Sequence, residues 1–261
     1  MNIVVLVKQV PDSTVRVKVA PGGSAIATEG ITWAISPYDE YAVELALEHK
    51  DTDATTVVSV VSLGPARARD ALRQALAMGC DDATLVTGAG AEDLGGLAIA
   101  RALAAVVAEK KPDLVLCGKQ ASDDDLGLVG PALAEALGWP HLGMVTAFAP
   151  GQGGTEVTRE VDGGHEVWRS SGPVVLAVHK SAKEPRYPSL PSIMKAKKKE
   201  IAEKDVASLI DDSVRALPKA QVVSLEPPPA RGGGKILKDG DAKTLAADLA
   251  RLLKDEAKVL S

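Results

Sequence analysis

Aromatic side chains are scarce: one Phe, three Trp and three Tyr among 261 residues. Stacking platforms for single-stranded nucleic acid need more of them. Cysteine is nearly absent as well. Cys80 and Cys117 lie far apart and form no CxxC, which excludes a disulfide framework or a zinc site built on Cys and points to a reducing compartment. No uncharged apolar run approaches the roughly 18 residues of a membrane span. Basic charge is not in excess, since 30 Lys and Arg face 35 Asp and Glu for a net −5, so global charge does not suggest nucleic acid. The four histidines, His49, His141, His165 and His179, are scattered without metal-ligand spacing. There is no GxGxxG fingerprint, no GxSxG nucleophile elbow and no obvious acid–base pair. Any redox chemistry would therefore be a cofactor's. The first residues run straight into a strand pattern, so no signal peptide is expected.

What is present is apolar and periodic. Hydrophobic residues make up 46% of the chain, enough to bury a core and to exclude disorder. Ile3-Val4-Val5-Leu6-Val7 is a short β-branched run of the kind buried on both faces of a sheet. Ser36 can cap a following helix, Pro37 suits its first position, and Asp39 completes a capping box. Val57 to Leu63 predicts a second strand. A helix opens at Gly64-Pro65, runs through Ala71, Leu72 and Leu76, and stops at Gly79. Ala83 to Val86 is a third strand, Leu94 to Val107 a helix, Asp113 to Cys117 a fourth strand, and Leu126 to Leu137 another helix. Strands alternating with helices imply a parallel sheet with right-handed crossovers.

After Trp139-Pro140 the pattern changes. Thr155 to Val161 and His165 to Ser170 alternate polar and apolar around Asp162-Gly163-Gly164, which predicts a hairpin, and Pro173 to His179 is one more apolar strand. Residues 1–180 form one α/β domain on this reading, residues 181–204 a segment apart, and residues 205–261 an arm. Pro185, Pro188 and Pro191 should break any regular element in the middle segment. Pro227-Pro228-Pro229 and Gly232-Gly233-Gly234 look like linker, and Lys235 after them does not make a phosphate loop. A last helix over Asp241 to Lys254 carries Leu245, Leu249 and Leu252 on one stripe, which it cannot bury alone.

Two stretches carry chemistry. Leu114 to Pro131 reads as a buried strand ending in a polar loop before a helix, where open parallel sheets bind ligands; on base rates for loops it reads more often as an ordinary solvated one. Its Asp123-Asp124-Asp125 run points side chains in different directions, which suits helix starts better than a shared metal. Lys195, Lys197, Lys198 and Lys199, flanked by Leu190, Ile193 and Met194, read either as solvated surface or as an apolar anchor with a basic rim.

Several segments together resemble a known family. Glu184-Pro185-Arg186-Tyr187-Pro188-Ser189-Leu190-Pro191-Ser192-Ile193-Met194 and the lysines after it resemble the recognition loop of the electron transfer flavoprotein β subunit. Ala75 to Asp81, Asp113 to Asp125, Val7 to Asp12 and the Asp162-Gly163-Gly164 turn resemble further segments of the same family, collinear from residue 1 to about 200. The resemblance implies a Rossmann-like α/β fold with an open, mostly parallel sheet, an antiparallel hairpin addition and an extended C-terminal arm. It implies a heterodimer with an α subunit that holds most of the FAD, and a structural AMP in this chain. It also implies docking of acyl-CoA and related dehydrogenases of fatty acid oxidation, whose electrons pass through FAD to a quinone oxidoreductase. The chain would then be an electron-carrier subunit without catalytic residues of its own.

By position, the resemblance places the AMP site at Leu6, Ser36, Pro37, Tyr38, Asp39, Leu63, Gly118, Lys119, Gln120, Ala121, Ser122, Asp123, Asp124, Asp125, Leu126, Gly127, Leu128 and Val129. It places dehydrogenase docking at Tyr187, Leu190, Pro191, Ile193, Met194, Lys195, Lys197, Lys198 and Lys199. Many relatives have polar residues at Gly127-Leu128-Val129, so backbone rather than side-chain contacts to phosphate are expected there. Some have a flavin-facing Tyr where this chain has Ser13. The rival within the family is a bifurcating type, whose β subunit holds a second FAD that oxidises NADH. A rival outside it is a stand-alone nucleotide-binding module, against which the orphan C-terminal helix argues. The expected compartment is the cytoplasm in a bacterium and the mitochondrial matrix in a eukaryote.

Overall fold

The computed structural model describes residues 1–179, 184–229 and 232–260. The domain boundary expected at residues 180 and 181 lies outside the described residues. By contacts the chain divides into two units, Met1–Leu225 and Glu226–Ser261.

The first unit is built on nine strands in one sheet. They are β1 (Asn2–Leu6), β4 (Val57–Leu63), β5 (Asp82–Thr87), β6 (Leu114–Gly118), β7 (His141–Gly151), β8 (Gly154–Val161), β9 (Gly164–Ser170), β10 (Val174–Val178) and β11 (Ala202–Asp205). Their order is β11-β5-β4-β1-β6-β10-β7-β8-β9. All neighbours from β11 to β7 are parallel, and β7–β8 and β8–β9 are antiparallel. A two-stranded antiparallel sheet of β2 (Gln9–Pro11) and β3 (Trp33–Ile35) stands apart.

The helices cover both faces. On one, α1 (Pro37–Thr52) and α2 (Arg69–Met78) bury Val43, Leu47, Leu72 and Leu76 against Ile3, Val5, Val58, Val60 and Leu116. On the other, α3 (Gly96–Lys110) and α4 (Val129–Leu137) bury Val106, Val107 and Leu133 against Val4, Val61, Val115 and Val175. Successive strand residues thus feed opposite layers, which is why these strands read as largely apolar runs rather than alternating ones. Alanines fill much of the helix side of both layers, so the core closes with almost no aromatic residue.

Several local expectations need correction. Ser36 precedes α1, but its buried Oγ finds no hydrogen-bond partner among the described residues, and Asp39 forms no capping box. The Asp39 carboxylate turns into the sheet instead. Helix α4 starts at Val129, not Leu126, because Asp125 and Gly127 both take left-handed φ, 51° and 59°. The prolines around residue 190 do not exclude regular structure: α5 (Leu190–Lys198) forms with Ser189 as its cap, and Pro191 falls in its first turn, where no N–H is missed. Strands β2, β3 and β11, three or four residues long, were not signalled by the sequence, and neither was the eleven-residue β7.

The first unit closes with the short helix α6 (Asp212–Arg215) and an irregular segment to Leu225. The second unit carries α7 (Ala242–Asp255), capped by Asp241, whose carboxylate accepts from Thr244 N at 2.8 Å. None of its described residues is buried, and Leu249 is half exposed.

Candidate nucleotide site and docking helix

The chain passes from β1 to β4 and β5 on one side, then returns to β6 on the other side of β1. Such a reversal opens a crevice at the carboxyl ends of the strands. A cleft of about 960 Å³ sits there. Its floor includes Leu6 from β1, Leu63 from β4 and Cys117 from β6, and its walls include Gly118–Ala121, Asp124 and Leu126–Gly130.

Asp39 fixes this geometry. Its carboxylate accepts from Lys8 N at 2.7 Å and from Gly118 N at 2.8 Å, tying the start of α1 to the ends of β1 and β6. The approach requires glycine at 118, since a Cβ there would lie 2.5 Å from Asp39 Oδ1. Burial raises the Asp39 pKa to about 7, against the pull of the two backbone donors. Nearby, burial opposes the charge on Lys8, but its ammonium lies 2.8 Å from both Asp123 and Asp124, and these carboxylates raise its pKa overall. The pair draws the 119–128 loop over the end of β1. Asp124 also accepts from Leu126 N at 3.1 Å, and Asp125 from Gln120 Nε2 at 2.7 Å, so the acidic run is spent on shaping the loop. Among the described residues no cluster of His, Cys, Asp and Glu is arranged to hold a metal.

What the loop leaves free is backbone. The N–H groups of Gly127, Leu128, Val129 and Gly130 make no hydrogen bond among the described residues, and α4 has no side-chain cap. These are donors at the positive end of a helix dipole, opening on the cleft. Leu126 and Leu128 are exposed at its rim and Ile99 lines it, so a phosphate would meet N–H groups while a flat apolar ring met side chains. Cys117, buried in the floor, is a thiol whose pKa burial pushes up to about 12 and is no nucleophile.

Of the residues expected at the site, Leu6, Asp39, Leu63, Gly118–Ala121, Asp124 and Leu126–Val129 line this cleft. Ser36, Pro37, Tyr38, Ser122, Asp123 and Asp125 are not among its walls. Tyr38 stacks instead on His179 at 5.6 Å, with Lys119 over its ring. The sequence reading missed the opposite wall, formed by Glu92–Gly96, Ile99 and Leu103, together with Ser24, Ala25 and Lys219–Val222. A signal was present in Gly95-Gly96, which starts α3 uncapped by any side chain.

The second surface is the segment around α5. Arg186 clamps it to α1: its guanidinium donates to Glu44 at 2.8 and 2.9 Å and to Asp51 at 2.7 Å, and its backbone N–H donates to Glu44 at 2.9 Å. Glu44 is fully buried. Tyr41 donates to Glu184 at 2.7 Å. At the other end Arg73 donates to Ala196 O at 2.6 Å and to Lys199 O. Lys199 Nζ donates to Cys80 O at 2.8 Å and Asp81 O at 2.9 Å, so this lysine staples the helix down. Ile193 faces the core. Tyr187, Leu190 and Met194 face out, 97%, 79% and 58% exposed, with Pro191, Lys195, Lys197 and Lys198 exposed around them. Leu190 and Met194 are one turn apart on one stripe.

Comparison with known proteins gives one answer. The electron transfer flavoprotein domain matches residues 24–209. An electron transfer flavoprotein subunit beta of Bradyrhizobium diazoefficiens is 40% identical over 260 residues, covering all of both chains. The human protein of that name is 39% identical over 236 residues, 90% of this chain and 91% of its own. That of Bacillus subtilis is 36% identical over 261 residues, again covering both chains fully.

Proposed function

The chain belongs to the electron transfer flavoprotein family as a β subunit, and from that premise we propose that it is the nucleotide-holding and dehydrogenase-docking half of a heterodimer. The α subunit carries most of the FAD, which supplies the electron-accepting chemistry. This chain contributes one structural AMP and the docking helix. Acyl-CoA and related dehydrogenases are the electron donors and a quinone oxidoreductase the acceptor.

The observation that carries the AMP reading is the set of four unpaired backbone N–H groups, Gly127 to Gly130, at the mouth of a cleft with an apolar rim. Asp39 and Asp124 border the same cleft, so a phosphate belongs at the α4 end, with Lys8 and Lys119 offsetting the carboxylates. The docking role rests on an exposed Leu190–Met194 stripe ringed by lysines on a helix that is rigidly held.

One observation favours the bifurcating alternative. The cleft continues to the uncapped start of α3, where Gly96, Leu97 and Ala98 offer further N–H groups to a larger, dinucleotide ligand.

Co-expression with the α subunit tests the proposal. The β chain alone should be colourless, and the purified heterodimer should carry one FAD. Two flavins per heterodimer would establish the alternative. A heterodimer that retains no flavin, or no heterodimer at all, overturns both. Among the described residues no helix is long and apolar enough to cross a membrane.

A further inference from the structure

We propose that residues 216–225 form a strap that closes the nucleotide cleft and sets the rate at which its ligand exchanges. The inference rests on the reading of that cleft as a nucleotide site.

The strap follows α6 and contains no helix or strand. It nevertheless supplies a wall of the cleft through Lys219, Ala220, Gln221 and Val222, opposite the β6–α4 loop. Three attachments hold it there. Lys219 Nζ donates to Asp93 O at 2.5 Å. The Lys219 main chain lies in a notch over Gly95, where a Cβ would stand 2.6 Å from Lys219 Cβ and 3.1 Å from Pro218 O. Beyond the cleft, Leu225 N donates to Gly23 O at 2.6 Å, joining the strap to the long 12–32 loop, whose Ser24 and Ala25 also line the cleft.

Little else holds it. Val222 is half exposed and Val223 89% exposed, so the strap buries little apolar surface of its own. Elements secured by a few exposed hydrogen bonds open at a small fraction of the global unfolding free energy. A ligand seated between α4 and α3 would lie against it, and lifting the strap removes one wall of the cleft and widens the way out. The glycine at 95 is then explained by the strap, since α3 itself would be better served there by a capping side chain.

The test is a release measurement on the full-length chain in its α-subunit complex. The complex is loaded with radiolabelled AMP and chased with an excess of unlabelled AMP. Lys219→Met keeps the stem over Gly95 and loses one hydrogen bond, so release should quicken about fivefold, the rate ratio equivalent to ~1 kcal/mol. Gly95→Ala fills the notch and should quicken it tenfold or more. Circular dichroism and flavin content, unchanged in both, separate lifting of the strap from unfolding. Release rates equal to the parent's in both variants overturn the strap. A parent complex that retains no labelled AMP removes the nucleotide reading itself, and the strap with it.

Discussion

Asp39 is the residue on which the site turns, and it makes an experimental signature. Its carboxyl is raised from an ordinary 3.8 to about 7 in the folded chain. Between those values the folded state binds a proton that the unfolded state has lost. Stability therefore falls as pH rises from about 4 to about 7 and then levels, with a slope of up to ~1.4 kcal/mol per pH unit from this group. Asp39→Asn should abolish that component in urea unfolding followed at several pH values. It should also cost about 1–3 kcal/mol, because an amide oxygen cannot take over both N–H groups and its NH₂ faces one of them. An unchanged pH slope in the variant would show that Asp39 is ionised in the fold throughout this range. Arg186 is the corresponding residue of the segment around α5. Arg186→Ala removes the guanidinium that bonds both oxygens of buried Glu44 and should lower stability, read as a lower urea midpoint.

At the level of elements, α5 separates the lysines that the sequence groups together. Lys199 bonds the carbonyls of Cys80 and Asp81, whereas Lys195, Lys197 and Lys198 point to solvent. Neutralising the latter three should slow association with an acyl-CoA dehydrogenase and flatten its salt dependence while leaving stability unchanged. Lys199→Met should instead lower stability and loosen the helix, seen as faster amide exchange over residues 190–198. Leu190→Ala removes the proposed anchor, and a central anchor is worth ~2 kcal/mol or more, about thirtyfold in affinity. Dehydrogenase-driven bleaching of the flavin should weaken accordingly with FAD content unchanged; bleaching at the parent's affinity would return the stripe to ordinary surface.

The same elements show what a sequence does and does not disclose. The buried strands of the parallel sheet were legible because a strand covered on both faces is predominantly apolar, as Ile3 to Leu6 is throughout and Val57 to Leu63 is apart from Ser59 and Ser62. The helix at 190 was hidden because three prolines argue against it locally, while it is held by groups far away in sequence: Arg73, and the carbonyls of Cys80 and Asp81 that Lys199 reaches. Asp39 looked like a helix cap because its true partners, Lys8 and Gly118, are 31 and 79 positions distant. The β6–α4 loop could be read from its position either as a ligand loop or as an ordinary solvated one, and it was the family resemblance that pointed to the first. The opposite wall of the cleft, Glu92–Gly96 and Lys219–Val222, has no motif and is brought to the site only by the crossing of the chain.

In the whole molecule, the proposed nucleotide lies at the switch point of a doubly wound sheet and the proposed docking helix on one of its faces. The second unit completes it: α7 carries Leu245, Leu249 and Leu252 with no buried residue among those described, and the α subunit is the surface proposed to cover it. A chain ending at residue 225 should bind the α subunit more weakly in gel filtration and retain less FAD. The most direct measurement, however, is of the nucleotide. The purified heterodimer is heat-denatured and its supernatant chromatographed against AMP and FAD standards. One AMP and one FAD per heterodimer is the expected result; FAD without AMP would contradict it.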